Sequence, residues 1–487
     1  MIPPELPTPT KLQLLQRTLN RKAKENPCWR AWSLYGDLCR RDVLETALRT
    51  VLANAGAAGV DGVTTEAVRA APGAFLDGVP AELRDRSYRP SPVLRVWMPK
   101  ADGKQRPLGI PTVKDRIVQA ALVLLLQPIF EADFHEDSYG YRPGRSAHQA
   151  LDAICETVFK GKREVVDADL SGYFDTIPHA ALLKEVARRV SDGSILRLIR
   201  LFLKAPIVEE KKGKRRIAPN KSGTPQGGNL SPLLANIYLN DLDHKVNDDP
   251  SLEARLVRYA DDMVILCRTG CGLALYQRLQ AYLESRGLKL NEAKSRWVQM
   301  EQEGFKFLGF EITWRPSRFT GRPFTYVEPS RKAQAEFRDA IRHELNHWTP
   351  WRSCTAVVRR VNRIARGWSQ YFHSKSCTQV FGRLSRWHRR RFRTWLWRKY
   401  DRTLGKHTFF TDERLHGQYQ LWPLPMTASW TRSPDGGLTS ESRMREIRLS
   451  GSMRGGLCLL LYIWACDRGP AKLRPGVFAC WRLKIGN

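Results

Sequence analysis

The chain has 487 residues, of which 42% are hydrophobic, and this length predicts about three domains with sizeable cores. Its formal net charge of +31 and pI of about 10.1 favour a polyanionic partner, with a generically basic protein as the alternative. The ten cysteines include no CxxC pair and no signal peptide opens the sequence, which argues against a disulfide scaffold and a zinc site and predicts reduced thiols in the cytoplasm. The longest apolar run, Leu457–Cys466, is too short to span a bilayer.

The first predicted elements are helical and then extended. From Lys11 to about Ala55, leucines and valines recur at helical spacing with basic residues between them, as in a solvated helix face or an RNA-holding extension. Val93–Pro99 predicts a strand that continues into a basic hairpin turning at Asp102-Gly103. Lys104 and Arg106 alternate onto one face of that hairpin, where they suit either a phosphate clamp or a solvated sheet edge.

An apolar helix is predicted from Asp115 to Ala132, and most of it should lie in the core. The next segment, 138–146, contains Arg142 and Arg145, and both look exposed. We expect these two arginines to contact the backbone of a nucleic-acid template, and a structural salt bridge is the alternative.

Two acidic sites follow on predicted strands. A short apolar strand ends in Asp169, and Leu256–Leu266 predicts a hairpin with Asp261 and Asp262 at its turn. Adjacent aspartates in turns are most often local hydrogen-bonders. A strand with one carboxylate beside a hairpin with two, however, suits two-metal phosphoryl transfer, because Mg²⁺ prefers carboxylate oxygens.

Asp169, Phe174 and the run Tyr259–Asp262 resemble the palm motifs of reverse transcriptases. Residues 11–400, including Gly223-Thr-Pro-Gln-Gly-Gly-Asn-Leu-Ser-Pro232, resemble the group II intron reverse transcriptase and maturase family. The resemblance implies an α+β fold of the right-hand polymerase type, with fingers, palm and helical thumb. It also implies RNA-directed DNA synthesis from dNTPs, with two Mg²⁺ ions shared by the three aspartates.

The resemblance assigns further roles. It places an aromatic under the sugar of the incoming deoxynucleotide, and the other nucleotide-binding residues around the triphosphate or the primer–template. These nucleotide-binding residues are Lys104, Arg106, Phe174, Gln226 and Lys294. Core packing is the alternative for Phe174. The segment Phe305–Phe310 alternates like a strand and resembles a primer grip, although its aromatics suit a hydrophobic core equally well.

The carboxyl third is strongly basic, since residues 351–400 hold twelve Arg, two Lys and no acidic residue. Apolar residues from Val357 to Phe372 recur at helical spacing, and arginines fall largely on the other positions. Arg363–Phe372 resembles the maturase segment of the family, and a generic polymerase thumb is the alternative. The predicted RNA-binding residues of this helix are Arg359, Arg360, Arg363 and Arg366.

The predicted domains are a basic extension (1–75), fingers and palm (76–315), a thumb or maturase domain (316–400) and a weakly matched basic tail (401–487). Residues 441–452 permit codons that pair like an intron RNA hairpin, so part of the tail is either read-through sequence or an ordinary basic tail. No paired Cys and His spacing of an endonuclease appears.

The implied partners are intron RNA, an RNA template, a DNA primer or target and dNTPs, with no membrane; the oligomeric state is left open. Alternative functions are a domesticated reverse transcriptase in antiviral defence and a splicing chaperone without polymerase activity.

Overall fold

The computed structural model describes residues 10–99, 105–211, 214–317, 320–400, 409–425, 430–432 and 438–440. Lys104, the predicted turn at Asp102-Gly103 and the predicted RNA-like segment 441–452 lie outside these residues.

Helices and strands follow one another along the described chain. The helices are α1 Lys11–Glu25, α2 Tyr35–Leu38, α3 Arg41–Asn54, α4 Thr65–Ala70, α5 Pro72–Arg84, α6 Val113–Phe130, α7 Ala147–Phe159, α8 Tyr173–Thr176, α9 His179–Ala187, α10 Gly193–Lys204, α11 Ser231–Asn247, α12 Gly272–Ser285, α13 Arg331–Glu344, α14 Cys354–Phe372, α15 Thr378–Tyr400 and α16 Asp412–His416. The strands are β1 Val93–Pro99, β2 Gln105–Ile110, β3 Glu164–Asp169, β4 Ile207–Lys211, β5 Lys214–Ala218, β6 Arg255–Tyr259, β7 Asp262–Cys267, β8 Arg296–Gln299, β9 Phe305–Phe307, β10 Phe310–Pro316, β11 Pro323–Pro329, β12 Trp430–Arg432 and β13 Leu438–Ser440. In this described part, no helix is both long and apolar enough to cross a bilayer.

The amino-terminal region is helical as predicted, but it is not continuous. The first helix stops at Glu25, because Pro27 lacks an N–H and disfavours helical geometry at the residue before it. This helix packs along α6, where the side-chain amides of Gln16 and Asn20 donate to the carbonyls of Leu124 (2.9 Å) and Pro128 (2.8 Å). The extension is therefore attached to the body of the protein by its inner face.

The central sheet has the strand order β6-β7-β3-β8, and all its pairs are antiparallel. Side chains of successive strand residues point to opposite faces. On β3, Val166 enters a core formed with α6, α9, α11 and α12, whereas Val165 enters a second core formed with α7, α13, α14 and α15. Both faces of the sheet are thus buried, which explains why its strands are nearly continuous apolar runs.

A second sheet has the order β2-β1-β4-β5. It joins two antiparallel hairpins through a parallel pair between β1 and β4. The predicted basic hairpin is therefore present, with Pro99 opposite Gln105. The lysine- and arginine-rich stretch after Glu209 forms the other hairpin.

The prediction of a single strand over Phe305–Phe310 is wrong. Leu308 and Gly309 have φ values of 50° and 81°, so the chain makes a two-residue turn and Phe307 pairs with Phe310 across it. Phe305, Phe307 and Phe310 are all buried in the second core. Core packing is therefore the role the structure gives these aromatics.

Candidate functional site: a carboxylate cluster at the edge of the central sheet

The three predicted catalytic aspartates lie at one end of the central sheet. Asp169, the last residue of β3, is directly opposite Asp262, the first residue of β7. Tyr259 on β6 also pairs with Asp262, so Ala260 and Asp261 form the two-residue turn between β6 and β7. Strand pairing therefore brings Asp169 and Asp262 together, while the turn carries Asp261.

The turn is held in an uncommon backbone conformation. Ala260 has φ of 60°, a region that residues with a Cβ rarely adopt. Gly140 packs directly against this turn, because a Cβ at Gly140 would lie 2.3 Å from the backbone nitrogen of Ala260. The carbonyl of Gly140 accepts a hydrogen bond from the Asn236 side chain of α11 at 2.7 Å. Glycine at position 140 is thus required for the segment 138–146 to approach the turn.

A fully buried arginine supports the same turn from below. Arg258 has no exposed surface, and its guanidinium donates to Asp243 Oδ1 at 2.7 Å, Ser138 Oγ at 2.7 Å and Asn236 Oδ1 at 2.9 Å. It also donates to the carbonyl of Ala260 at 2.9 Å. This network links α11 and the 138–140 segment to the turn that presents Asp261. The sequence analysis missed Arg258 and Asp243, because nothing local marks an arginine as buried.

The carboxylate of the first aspartate has a cation and an amide donor beside it. The Lys294 ammonium lies 3.2 Å from Asp169 Oδ2, and the Asn291 amide donates to the same oxygen at 3.0 Å. The backbone of Asp169 is fixed by the Ser295 hydroxyl, which accepts from its N–H at 3.0 Å. Lys294 therefore reaches the carboxylate cluster, as its predicted role near a bound triphosphate requires.

Burial and mutual repulsion make the cluster resist full ionisation. Burial raises the pKa of Asp262 to about 7, and the charges of Asp261 and Asp169 add to the rise. Burial likewise raises the pKa of Asp261, with Asp169 adding to the rise and the guanidinium of Arg106 opposing it. Nearby on β3, burial raises the pKa of Asp167 to about 6. Such a concentration of negative charge is stabilised by a bound cation.

The chemistry of the cluster fits a hard divalent cation, because all of its donors are carboxylate oxygens. Within the residues that the structure describes, no group of three or more His, Cys, Asp or Glu side chains is close enough to form a complete metal site. Mg²⁺ takes only one or two carboxylates when substrate phosphates supply further oxygens. A partly assembled site is therefore what a metal that arrives with a nucleotide needs.

A hydrogen-bonded chain runs beside the carboxylates. Arg106 Nε on β2 donates to Gln226 Oε1 at 2.6 Å, and Gln226 Nε2 lies 3.4 Å from Asp175 Oδ2. The carbonyl of Gln226 also accepts from the N–H of Gly109 at 2.7 Å. Gln226 thus connects the basic hairpin to the short helix α8. Sequence reasoning did not single out Asp175, whose only signal is its position next to Phe174.

Phe174 is 5% exposed and belongs to the first hydrophobic core. Its carbonyl accepts from the N–H of Thr224 at 2.6 Å. Gly223 has φ of 80°, and a Cβ there would lie 2.5 Å from the same carbonyl. This close approach explains why position 223 is a glycine, and it places the following residues up to Gln226 next to α8.

The prediction that Arg142 is exposed is wrong. Its side chain is 3% exposed, and it forms an ion pair with Glu131 at 2.7 Å and donates to the carbonyl of Ser138 at 2.6 Å. The salt bridge that the sequence analysis left open is the arrangement found, because the segment before Gly140 needs donors for its buried carbonyls. Arg145 is half-buried, with its guanidinium carbon 5.8 Å from the centre of the Tyr139 ring.

The basic helix α14 divides as predicted into a packed face and a charged face. Val357, Val361, Ala365, Trp368 and Phe372 are buried, and Ile364 is half-buried. The four predicted RNA-binding arginines differ in their surroundings. Arg359 is exposed, Arg360 lies 3.6 Å from Glu344, Arg363 is half-buried and Arg366 lies 4.3 Å from the centre of the Trp422 ring.

Comparison with known proteins gives two family matches. A profile described as "Reverse transcriptase (RNA-dependent DNA polymerase)" matches residues 98–312, and one described as "Group II intron, maturase-specific domain" matches residues 334–411.

Individual relatives match over different shares of their length. Protein YkfC of Escherichia coli strain K12 is 34% identical over 66% of this chain and 93% of its own length. The group II intron-encoded protein LtrA of Lactococcus lactis is 36% identical over 48% of this chain, but the match spans only 38% of LtrA. Nuclear intron maturase 2 of Arabidopsis thaliana is 33% identical over 27% of this chain and 22% of its own length.

Proposed function

The chain belongs to the family of reverse transcriptases and maturases encoded by group II introns, and we propose that Asp169, Asp261 and Asp262 carry out its nucleotidyl transfer. The protein is an RNA-directed DNA polymerase joined to a maturase domain that acts in splicing and mobility of intron RNA. The single observation that supports the site is the register that pairs Asp169 with Asp262 beside the turn carrying Asp261.

We propose a right-hand polymerase architecture for these elements. The sheet β2-β1-β4-β5 belongs to the fingers, the sheet β6-β7-β3-β8 to the palm, and α13, α14 and α15 to the thumb. The expected boundary at 75/76 falls inside α5 and the one at 315/316 inside β10. Boundaries just before α5 and just after β11 keep both elements whole, and we adopt them.

The family generally uses divalent metal ions, and we propose two Mg²⁺ ions held by the three aspartates together with the nucleotide phosphates. When bound, these ions supply the Lewis acidity that activates a primer 3′-hydroxyl and stabilises the departing pyrophosphate. The aspartates neutralise the charge of the ions, and the strand register sets the spacing of Asp169 and Asp262. Arg258 fixes the turn backbone, so that Asp261 is positioned before substrate binds.

The remaining nucleotide-binding residues orient the dNTP. Arg106 lies on β2 and Lys294 in the segment before β8, and each offers a charge-assisted donor for triphosphate oxygens. Gln226 holds the guanidinium of Arg106 in place. The ring of Phe174 would restrict the space beside the sugar and so favour deoxynucleotides. Lys104 is proposed for the same clamp on sequence grounds alone.

We propose that the basic surfaces bind nucleic acid through its backbone. Arg145, Arg359, Arg363 and Arg366 would contact phosphates of the RNA template or the intron RNA, with Arg360 joining them when it leaves Glu344. Arg142 is not among these contacts, because it is buried against Glu131. A DNA primer or target completes the set of proposed partners.

Primer extension on an RNA template tests the site directly. Asp261→Ala and Asp262→Asn should each abolish extension, because each removes an anionic oxygen donor from the cluster. Asp249→Asn is the matched control, since this carboxylate lies on the loop before β6 and accepts hydrogen bonds from Ser251. Extension by the aspartate variants at the rate of the control would refute the proposal.

A further inference from the structure

The loop between α13 and α14, residues 345–353, exposes two large aromatic side chains. Trp348 is 72% exposed and Trp351 is 78% exposed, although tryptophan is usually largely buried. Neither tryptophan is part of the carboxylate site or of the arginine-rich face of α14. Two exposed tryptophans three residues apart in one loop offer ring faces to a partner.

The loop is held firmly in place by α15. The Lys399 ammonium donates to the carbonyls of Pro350 at 2.7 Å and Arg352 at 2.8 Å. The indole N–H of Trp395 donates to Thr349 Oγ1 at 3.0 Å, and Arg391 donates to the carbonyl of Leu345 at 3.0 Å. Because the backbone is anchored at several points, the exposed rings are pre-organised, which lowers the entropy cost of binding a partner.

The loop and the two long helices that follow it carry only cationic charges. No Asp or Glu occurs anywhere from residue 345 to residue 400. The guanidinium carbon of Arg352 lies 5.5 Å from the ring centre of Trp351, and the His347 ring lies 4.5 Å from that of Trp348. Burial and the charges of Arg398 and Arg342 lower the pKa of Arg391, which shows that these cations repel one another. A polyanion would relieve this repulsion.

We propose that Trp348 and Trp351 form a stacking platform for unpaired bases of structured RNA, with Arg352 and Arg398 neutralising the adjacent phosphates. This subsite rests on the proposed RNA-binding function and adds to it a preference for loops or bulges over continuous duplex. Unpaired bases offer faces that an aromatic ring can stack on, whereas bases inside a duplex do not. The positive surroundings favour RNA over a protein partner as the occupant.

The test compares the binding of two fluorescein-labelled RNAs of equal length, one a hairpin with a large unpaired loop and the other a continuous duplex. Fluorescence anisotropy is measured at one fixed salt concentration with the full chain. The variant Trp348→Ala/Trp351→Ala should bind the hairpin about 5- to 150-fold more weakly for each base that loses its stack. Its affinity for the duplex should change less than about twofold, because phosphate contacts remain.

Two variants serve as controls. Trp348→Phe/Trp351→Phe keeps an aromatic face at both positions and should retain most of the hairpin affinity. Phe159→Ala removes a side chain that is 80% exposed at the end of α7, and it should leave both affinities unchanged. Equal weakening for hairpin and duplex, or no change for either, would overturn the platform.

Primer extension separates this inference from the proposed function. The tryptophan variant should still extend a DNA primer on an unstructured RNA template, since neither ring touches the carboxylate site. If the wild type itself fails to extend, the polymerase proposal falls while the stacking comparison still gives its answer. If the wild type extends and the hairpin preference is missing, only the platform falls.

Discussion

The buried pair of Arg258 and Asp243 offers a sharp test of how the turn that carries Asp261 is supported. The side chains are 0% and 1% exposed, and the guanidinium donates to both carboxylate oxygens. Asp243→Asn keeps the shape of the side chain but leaves the arginine without a counter-charge. Breaking a buried ion pair in this way costs about 3 to 5 kcal/mol. Arg258 keeps its bonds to Asn236 and Ala260, so we expect the lower end of that range.

Hydrogen exchange of the β6 and β7 amides measures this cost locally, without assuming that the whole chain unfolds in one step. The free energy of opening of these amides should fall by about 3 kcal/mol in Asp243→Asn. The double variant Arg258→Met/Asp243→Leu should lose less of this free energy than Arg258→Met and Asp243→Leu lose in sum, because no unpaired charge remains.

Activity gives a second readout of the same pair. A displacement of the turn by about 1 Å would lower kcat roughly 100-fold. The KM for dNTP should change little, because Arg106 and Lys294 lie on other elements. A change below about 1 kcal/mol in Asp243→Asn, or strictly additive losses in the double variant, would refute the argument that this pair supports the turn.

Three further predictions concern the metal, the turn and the arginines. Mg²⁺ binds ionised carboxylates, and the pKa of Asp262 is raised to about 7. Saturating Mg²⁺ should therefore raise Tm more at about pH 8 than at about pH 6. Equal shifts of Tm at the two pH values would contradict this. Gly140→Ala should lower Tm and activity, since its Cβ would meet the turn, whereas Gly73→Ala, with open space around its Cβ, should not. Arg142→Met should lower Tm without changing the salt dependence of RNA binding. Arg145→Met should reduce the slope of log affinity against log salt concentration by about one. The opposite pair of outcomes would contradict these assignments.

Features that depend on local pattern could be predicted from the sequence. The hairpin over Leu256–Leu266 follows from two apolar runs around an acidic centre, and the structure contains it with Asp261 in the turn and Asp262 at the start of β7. The helix α14 likewise has its valines inside and most of its arginines outside, because helical periodicity separates them.

Features that depend on distant partners could not be predicted. Arg142 looks like any surface arginine until Glu131 and the carbonyl of Ser138 surround it. Arg258 is buried because Asp243, fifteen residues earlier, lies beneath it. The turn at Leu308-Gly309 was missed for another reason, since alternating aromatics on either side resemble one continuous strand.

The central sheet separates two cores, and the second core joins this sheet to α13, α14 and α15 without a break. Tyr371 of α14 illustrates the joint, because its hydroxyl donates to the carbonyl of Leu308 at 3.0 Å and its own carbonyl bonds His148 of α7 at 2.8 Å. A descendant of this chain selected only for splicing would therefore be free to lose its aspartates but not its central sheet. Such a protein would inherit a polymerase scaffold as the foundation of its RNA-folding surface.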